Sequence, residues 1–175
     1  MNLRYVWACV PEYVHGEVNG SMLYFSSDKF EYDHRVETCE EHLAREFNID
    51  LKLLKKNSGK IVGKEKYMPI PFSREAVFIQ FRHRHPDYKD DGAYGIVRVN
   101  AIQKIIPDGK HAVIVLKNEV EIYSMTSVKK LKEYLRDARK VVLLIPHLEW
   151  NIDEFHEIIF EEMITNYRKR KDEWI

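Results

Sequence analysis

The side chains in this chain best able to do chemistry are lysines. Lys52, Lys55, Lys56, Lys60, Lys64 and Lys66 crowd into one stretch, interrupted by Gly59 and Gly63, with Asn57 and Ser58 between. The mixture predicts a flexible basic loop, which suits a phosphate backbone; a solvated lysine-rich linker is the alternative. Gly59 and Gly63 beside Lys60 and Lys64 superficially resemble a phosphate loop, but the G-x-x-x-x-G-K-[ST] pattern is missing. His83 and His85, with Asp87, Asp90 and Asp91 nearby, are residue types that zinc or manganese would use. Residues two apart on an extended segment point to opposite sides, and no third ligand has diagnostic spacing, so no metal or other cofactor is expected. There is no G-x-S-x-G elbow and no Cys–His signature. The carboxylate pairs Glu40-Glu41 and Glu161-Glu162 read as solvated helix surface. Cys9 and Cys39 are the only two cysteines, expected as reduced thiols of which one or both are buried; a disulfide between them stays open. The expectation is a protein that is not an enzyme.

The formal net charge is zero over 175 residues, and that zero conceals a pattern. Residues 1–50 hold four Lys/Arg against ten Asp/Glu, residues 51–145 twenty against ten, and residues 146–175 four against eight. A basic middle thus lies between two acidic ends, the sequence form of an electrostatic footprint. Hydrophobic residues make up 45% of the chain, with ten Tyr, eight Phe and three Trp, which excludes a disordered tail. The length fits one domain over 1–175. The longest aliphatic run, Val141 to Ile145, is far short of the roughly 20 residues needed to span a bilayer. The N-terminus MNLRYVWACVPEY lacks a basic-then-apolar leader. A cytoplasmic, membrane-free protein is expected.

The elements that must position the lysines follow from periodicity. Residues 5–10 and 21–25 read as short strands around a turn from Gly16 to Gly20. Residues 37–47 read as a helix, since Cys39, Leu43 and Phe47 share one stripe. Pro69 and Pro71 hold the next segment extended, Val77 to Phe81 is a strand, and residues 83–95 are a polar loop. Ile96 to Ile105 reads as one extended piece and Pro107-Asp108-Gly109 as a turn. Ala112–Leu116 and Val120–Tyr123 form a hairpin about Lys117-Asn118-Glu119. Thr126 or Ser127 caps a helix to about Lys140, with Val128, Leu131, Leu135 and Ala138 on its apolar stripe and Lys129 and Lys130 on other faces. Val141 to Ile145 is a buried strand or that helix's apolar end. A last amphipathic helix runs from Asn151 or Asp153 to about Tyr167, followed by a basic arm, Arg168 to Lys171. The fold class is α+β: an antiparallel sheet of short strands with two to three packed helices, including the C-terminal one.

Residues 59–140, roughly half the chain, resemble the competence transcription factor ComK family. The matching features are Gly59 and Gly63, then Lys66, Pro69 and Ile70, the Phe78–Phe81 strand, and Val97, Ile102 and Ile105. Asn118 at the hairpin turn and Ser127 with Leu135-Arg136 in the helix complete them. Arg82-His83 stands where the family has Pro-Thr, and Glu119 where it has a turn glycine. The strand–strand–helix pattern of residues 96–140 also resembles LytTR-type DNA-binding domains. The ComK resemblance implies a bacterial transcriptional activator that binds AT-rich duplex DNA from the minor-groove side as a homo-oligomer, without a cofactor. Arg82, Arg84 and Arg98 would then enter the groove. Lys52, Lys55, Lys56, Lys60, Lys64 and Lys66, with Lys129 and Lys130, would anchor phosphates. The second expectation is a small phage- or plasmid-encoded interaction or inhibitor protein acting through its acidic surfaces, including a protein partner on the acidic C-terminal helix.

Overall fold

Strands that are apolar at both phases build the centre of the fold. In β5 (Val77–Arg82), Phe78 packs into one core, and Val77, Ile79 and Phe81 pack into another. β1 (Ala8–Val14) divides the same way, Cys9 against Ala8 and Val10, and β6 (Tyr94–Arg98) puts Ile96 in the first core and Val97 in the second. Successive side chains leave a strand on opposite faces, so such a sheet needs cover on both sides.

A computed structural model describes residues 2–14, 18–86 and 92–144. With β2 (Val18–Tyr24), β3 (Lys29–Tyr32) and β4 (Ile70–Pro71), the central sheet has six antiparallel strands in the order β3-β2-β1-β6-β5-β4. α1 (Val36–Glu46) and α2 (Leu51–Val62) cover one face through Val36, Cys39, Leu43 and Leu54. The other face meets a second antiparallel sheet, β7 (Ile102–Asp108), β8 (His111–Leu116) and β9 (Glu121–Ser124), together with α3 (Val128–Leu144). Ile114, Leu116, Ile122, Leu131, Ala138 and Val142 line that second core. The fold is α+β, as expected, with helices on one side and a small sheet plus a helix on the other.

Several expectations change. The lysine-rich stretch is not a loop but helical through Lys52, Lys55, Lys56 and Lys60, in α2, and only Lys64 and Lys66 lie beyond the helix end. Asp50 caps it, its Oδ1 accepting from the Leu53 N–H at 2.9 Å. Gly63, at φ 69°, ends it, and the Lys64 N–H returns to the Gly59 carbonyl at 3.0 Å. Gly59 and Ser58 are buried packing residues, and a Cβ on Gly59 would meet the Lys64 carbonyl at 2.6 Å. Ile96 to Ile105 is not one extended piece. β6 ends at Arg98, a 3₁₀ turn at Val99–Ala101 redirects the chain with Ala101 buried, and β7 begins in the other sheet. The first strand follows a 3₁₀ turn at Leu3–Tyr5 and runs on through Pro11 to Val14. β3 was not predicted, because Lys29, Phe30 and Glu31 are all exposed on this edge strand.

Ser127 caps α3, its Oγ accepting from the Lys130 N–H at 3.4 Å, while the Thr126 hydroxyl accepts from the Arg82 N–H at 2.9 Å. Residues 141–144 are the apolar end of α3, the second of the two readings. The helix predicted over 151–167, with its acidic partner surface, and the arm 168–171 lie outside the described residues. Among the described residues no helix is long and apolar enough to cross a membrane.

Candidate functional site

Helical phase sorts the lysines of α2 into two sets. Lys52, Lys56 and Lys60 recur every four residues, so they form one stripe, and all three are exposed. Lys55 falls on the inner side, where its ammonium bonds the Glu40 carboxylate; Glu40 is only 2% exposed, and its other oxygen accepts from the Gln80 amide at 2.8 Å. Lys64, just past the helix end, bridges to α3, reaching Glu133 at 2.5 Å and Asp137 at 2.6 Å. Burial alone would lower the Lys64 pKa, but the hydrogen bonds and charges of Asp137 and Glu133 outweigh it and hold the group above an ordinary lysine. Glu133 is held below the usual carboxylate range, first by Lys64 and then by Lys130. Lys55 and Lys64 are thus structural cations. The outer stripe gains nothing for the fold: like charges four apart destabilise a helix by about 0.2–0.5 kcal/mol per pair.

α3 adds a second basic stripe. Leu131, Tyr134, Ala138 and Val142 face the core, and Ile61 and Val62 of α2 pack on Val141. Lys129, Lys130, Lys132, Arg136 and Lys140 are exposed. Of these, Lys130 pairs with Glu133 at 3.2 Å and Lys140 approaches Asp137 at 3.6 Å. Residues 51–68 carry six Lys against one Glu, and residues 128–144 six Lys/Arg against two Asp/Glu. Two packed helices and their connection therefore concentrate the basic middle at one edge of the central sheet.

A cleft of ≈ 840 Å³ opens beside the α2 stripe, with Lys55, Lys56, Lys60, Lys64, Lys66, Tyr67, Met68 and Gln80 in its lining. Tyr67 stands in the left-handed region at φ 57°, which costs a residue with a side chain about 1–2 kcal/mol. Its hydroxyl is 2.8 Å from that of Tyr94, and its ring packs 5.2 Å from Tyr94 and 6.2 Å from Tyr134. The Tyr94 phenol is raised, first by its hydrogen bond to Tyr67 and then by burial.

The three arginines expected in a groove are not gathered with these lysines. Arg98 donates to the Glu75 carbonyl at 2.8 Å and the Arg4 carbonyl at 3.1 Å, at the far end of β5 and β6 from Arg82. Arg84 lies 4.0 Å over the Tyr13 ring and donates to the Gly92 carbonyl and Asn19. Arg82 contacts His85 at 3.2 Å, and its backbone joins Thr126 and Met125. His83 bonds the Tyr123 carbonyl through Nδ1 at 2.8 Å; burial, the largest influence, pushes its pKa down. Asp87, Asp90 and Asp91 lie outside the described residues, and among those described no group of three His, Cys, Asp or Glu is placed to hold a metal ion. Cys9 and Cys39 are both buried, and the Cys39 thiol is pushed far up by its hydrogen bond with Cys9 and by burial.

Tyr67, Met68 and Gln80 went unsuspected from sequence. Only the packing of β5 behind α2 brings Gln80 to the lysines; Tyr67 is flagged solely by a backbone angle. No family model matches the chain, and neither a curated protein nor a solved structure matches it.

Proposed function

We propose that this protein binds duplex nucleic acid, as a DNA-binding transcriptional regulator, through the lysine face of α2 and α3. The observation that carries the reading is the exposed Lys52–Lys56–Lys60 stripe of α2, on a helix that Lys64 joins to α3, where Lys129, Lys132 and Arg136 are exposed as well. The helix rise of about 1.5 Å per residue spaces the three α2 ammonium groups by about 6 Å, close to two steps of about 3.4 Å along a DNA strand. Phosphate contacts of this kind position a protein without reading sequence. Arg82, Arg84 and Arg98 serve as packing and hydrogen-bonding groups in this reading, so any preference for AT-rich DNA would come from groove shape at the lysine face. The test is a salt titration of AT-rich and mixed duplexes. The reading expects log affinity to fall by about 0.9 per neutralised phosphate for each log unit of salt. Absence of any duplex complex at low salt removes it.

A further inference from the structure

The cleft beside the α2 stripe opens to solvent, and lysines gather along it. Carboxylates pin Lys55 and Lys64 in its lining, whereas Lys56, Lys60 and Lys66 are exposed around it against a single lining carboxylate, Glu65. With Lys130, which shares Glu133, six lysines stand against Glu40, Glu65, Glu133 and Asp137, and the surplus of two positive charges calls for a ligand with several negative charges. The volume of ≈ 840 Å³ falls among small-molecule sites, about 300–1,000 Å³. Tyr67 and Met68 belong to the same lining. The Tyr67 side chain is fixed by a left-handed backbone, by the hydroxyl of Tyr94 and by packing on Tyr134; sparsely populated backbone of this kind gathers at ligand clamps. The Gln80 amide is committed to Glu40, which leaves its oxygen as the acceptor.

We propose that the cleft binds a nucleoside polyphosphate, with its phosphates among Lys56, Lys60 and Lys66 and its base against Tyr67 and Met68, and that the bound nucleotide competes with duplex DNA for Lys56 and Lys60. The competition rests on the duplex-binding reading; the nucleotide site does not.

Calorimetric titration of the full chain with ATP and, separately, with inorganic triphosphate, both without DNA, tests the site. ATP is expected to saturate one site and to bind about tenfold tighter than triphosphate. Lys56→Gln/Lys60→Gln/Lys66→Gln should weaken ATP at least tenfold. Tyr67→Gly, which suits the positive φ, should erase the difference between ATP and triphosphate. Thermal midpoints of the variants are measured alongside, and Lys66→Gln alone, at an exposed position, replaces the triple variant if that does not fold. Absence of saturable ATP binding, equal affinity for ATP and triphosphate, or undiminished binding by the lysine variants overturns the site. Duplex binding without ATP binding defeats this inference alone. ATP binding without duplex binding defeats the duplex reading and leaves the site standing. Duplex that ATP fails to displace overturns the competition.

Discussion

The Lys64 ammonium lies 2.6 Å from the Asp137 carboxylate, across 73 residues of sequence. That contact ties the end of α2 to the middle of α3, beyond the edge strand β4. Asp137 is 4% exposed, so little water reaches its carboxylate. Lys64→Ala leaves the buried Asp137 carboxylate with only the exposed Lys140, 3.6 Å away, and is expected to cost about 1–3 kcal/mol, the range for a buried polar group that loses its hydrogen-bond partner. Lys64→Met/Asp137→Leu should recover most of it, because apolar replacement of a buried pair is often neutral. Urea denaturation of the three proteins checks this; equal midpoints for Lys64→Ala and the parent would contradict it.

The outer lysines should behave in the opposite way. Lys52→Ala/Lys56→Ala/Lys60→Ala removes two like-charge pairs and introduces the best helix former. Its thermal midpoint is expected to hold or rise, while the slope of log duplex affinity against log salt shrinks by about 0.9 for each phosphate that is no longer neutralised. Lys55→Ala is the contrast, destabilising through the stranded Glu40. A triple variant that unfolds early would show the stripe to be structural.

His83 gives a pH dependence with a definite sign. Its folded pKa lies below the free value of about 6.5, so the unfolded chain takes up the proton more readily. The stability that depends on neutral His83 is complete above about pH 6.5 and is lost as the pH falls below it. His83→Gln can still donate to the Tyr123 carbonyl but does not titrate. The thermal midpoint of the parent should therefore drop more than that of the variant between about pH 7.5 and about pH 5.5, a span that brackets the free imidazole value; parallel curves would exclude the role.

The thiols should be silent in the folded protein. Both are buried, and Cys39 is pushed upward, so little thiolate is available to attack. A chromogenic disulfide reagent is expected to label neither in native buffer and both in denaturant. Rapid native labelling would mean that α1 opens from β1 far more often than this packing implies.

Strands were legible in the sequence wherever alternation or β-formers were strong, as in Val77–Phe81 and the β8–β9 hairpin. So were α1 and α3, whose apolar stripes repeat at helical spacing. α2 was missed because Asn57, Ser58 and Gly59 look like loop residues. In the fold, Gly59 is small so that the chain leaving α2 can close on the helix at Lys64. The better signals were the Asp50 cap and the four-residue recurrence of Lys52, Lys56 and Lys60. The cations stood out as a group, but which were spoken for could not be read. Glu40, Glu133 and Asp137 claim theirs from other elements, and backbone carbonyls claim Arg84 and Arg98.

The pairing of β1 with β6, Ala8 opposite Val97 and Cys9 opposite Ile96, carries a consequence for how the protein is made. β1 is the first strand of the central sheet to be made, yet one of its two neighbours, β6, is made after all the others. Until then β3, β2 and β1 form a three-stranded unit whose β1 flank is open, an unpaired edge of the kind that pairs with other chains. The β1 edge must therefore stay unpaired until Ile96 and Val97 appear. Slow, non-local closure is the expected folding mode, and the interval before Ile96 and Val97 arrive is when this protein most needs protection from its own copies.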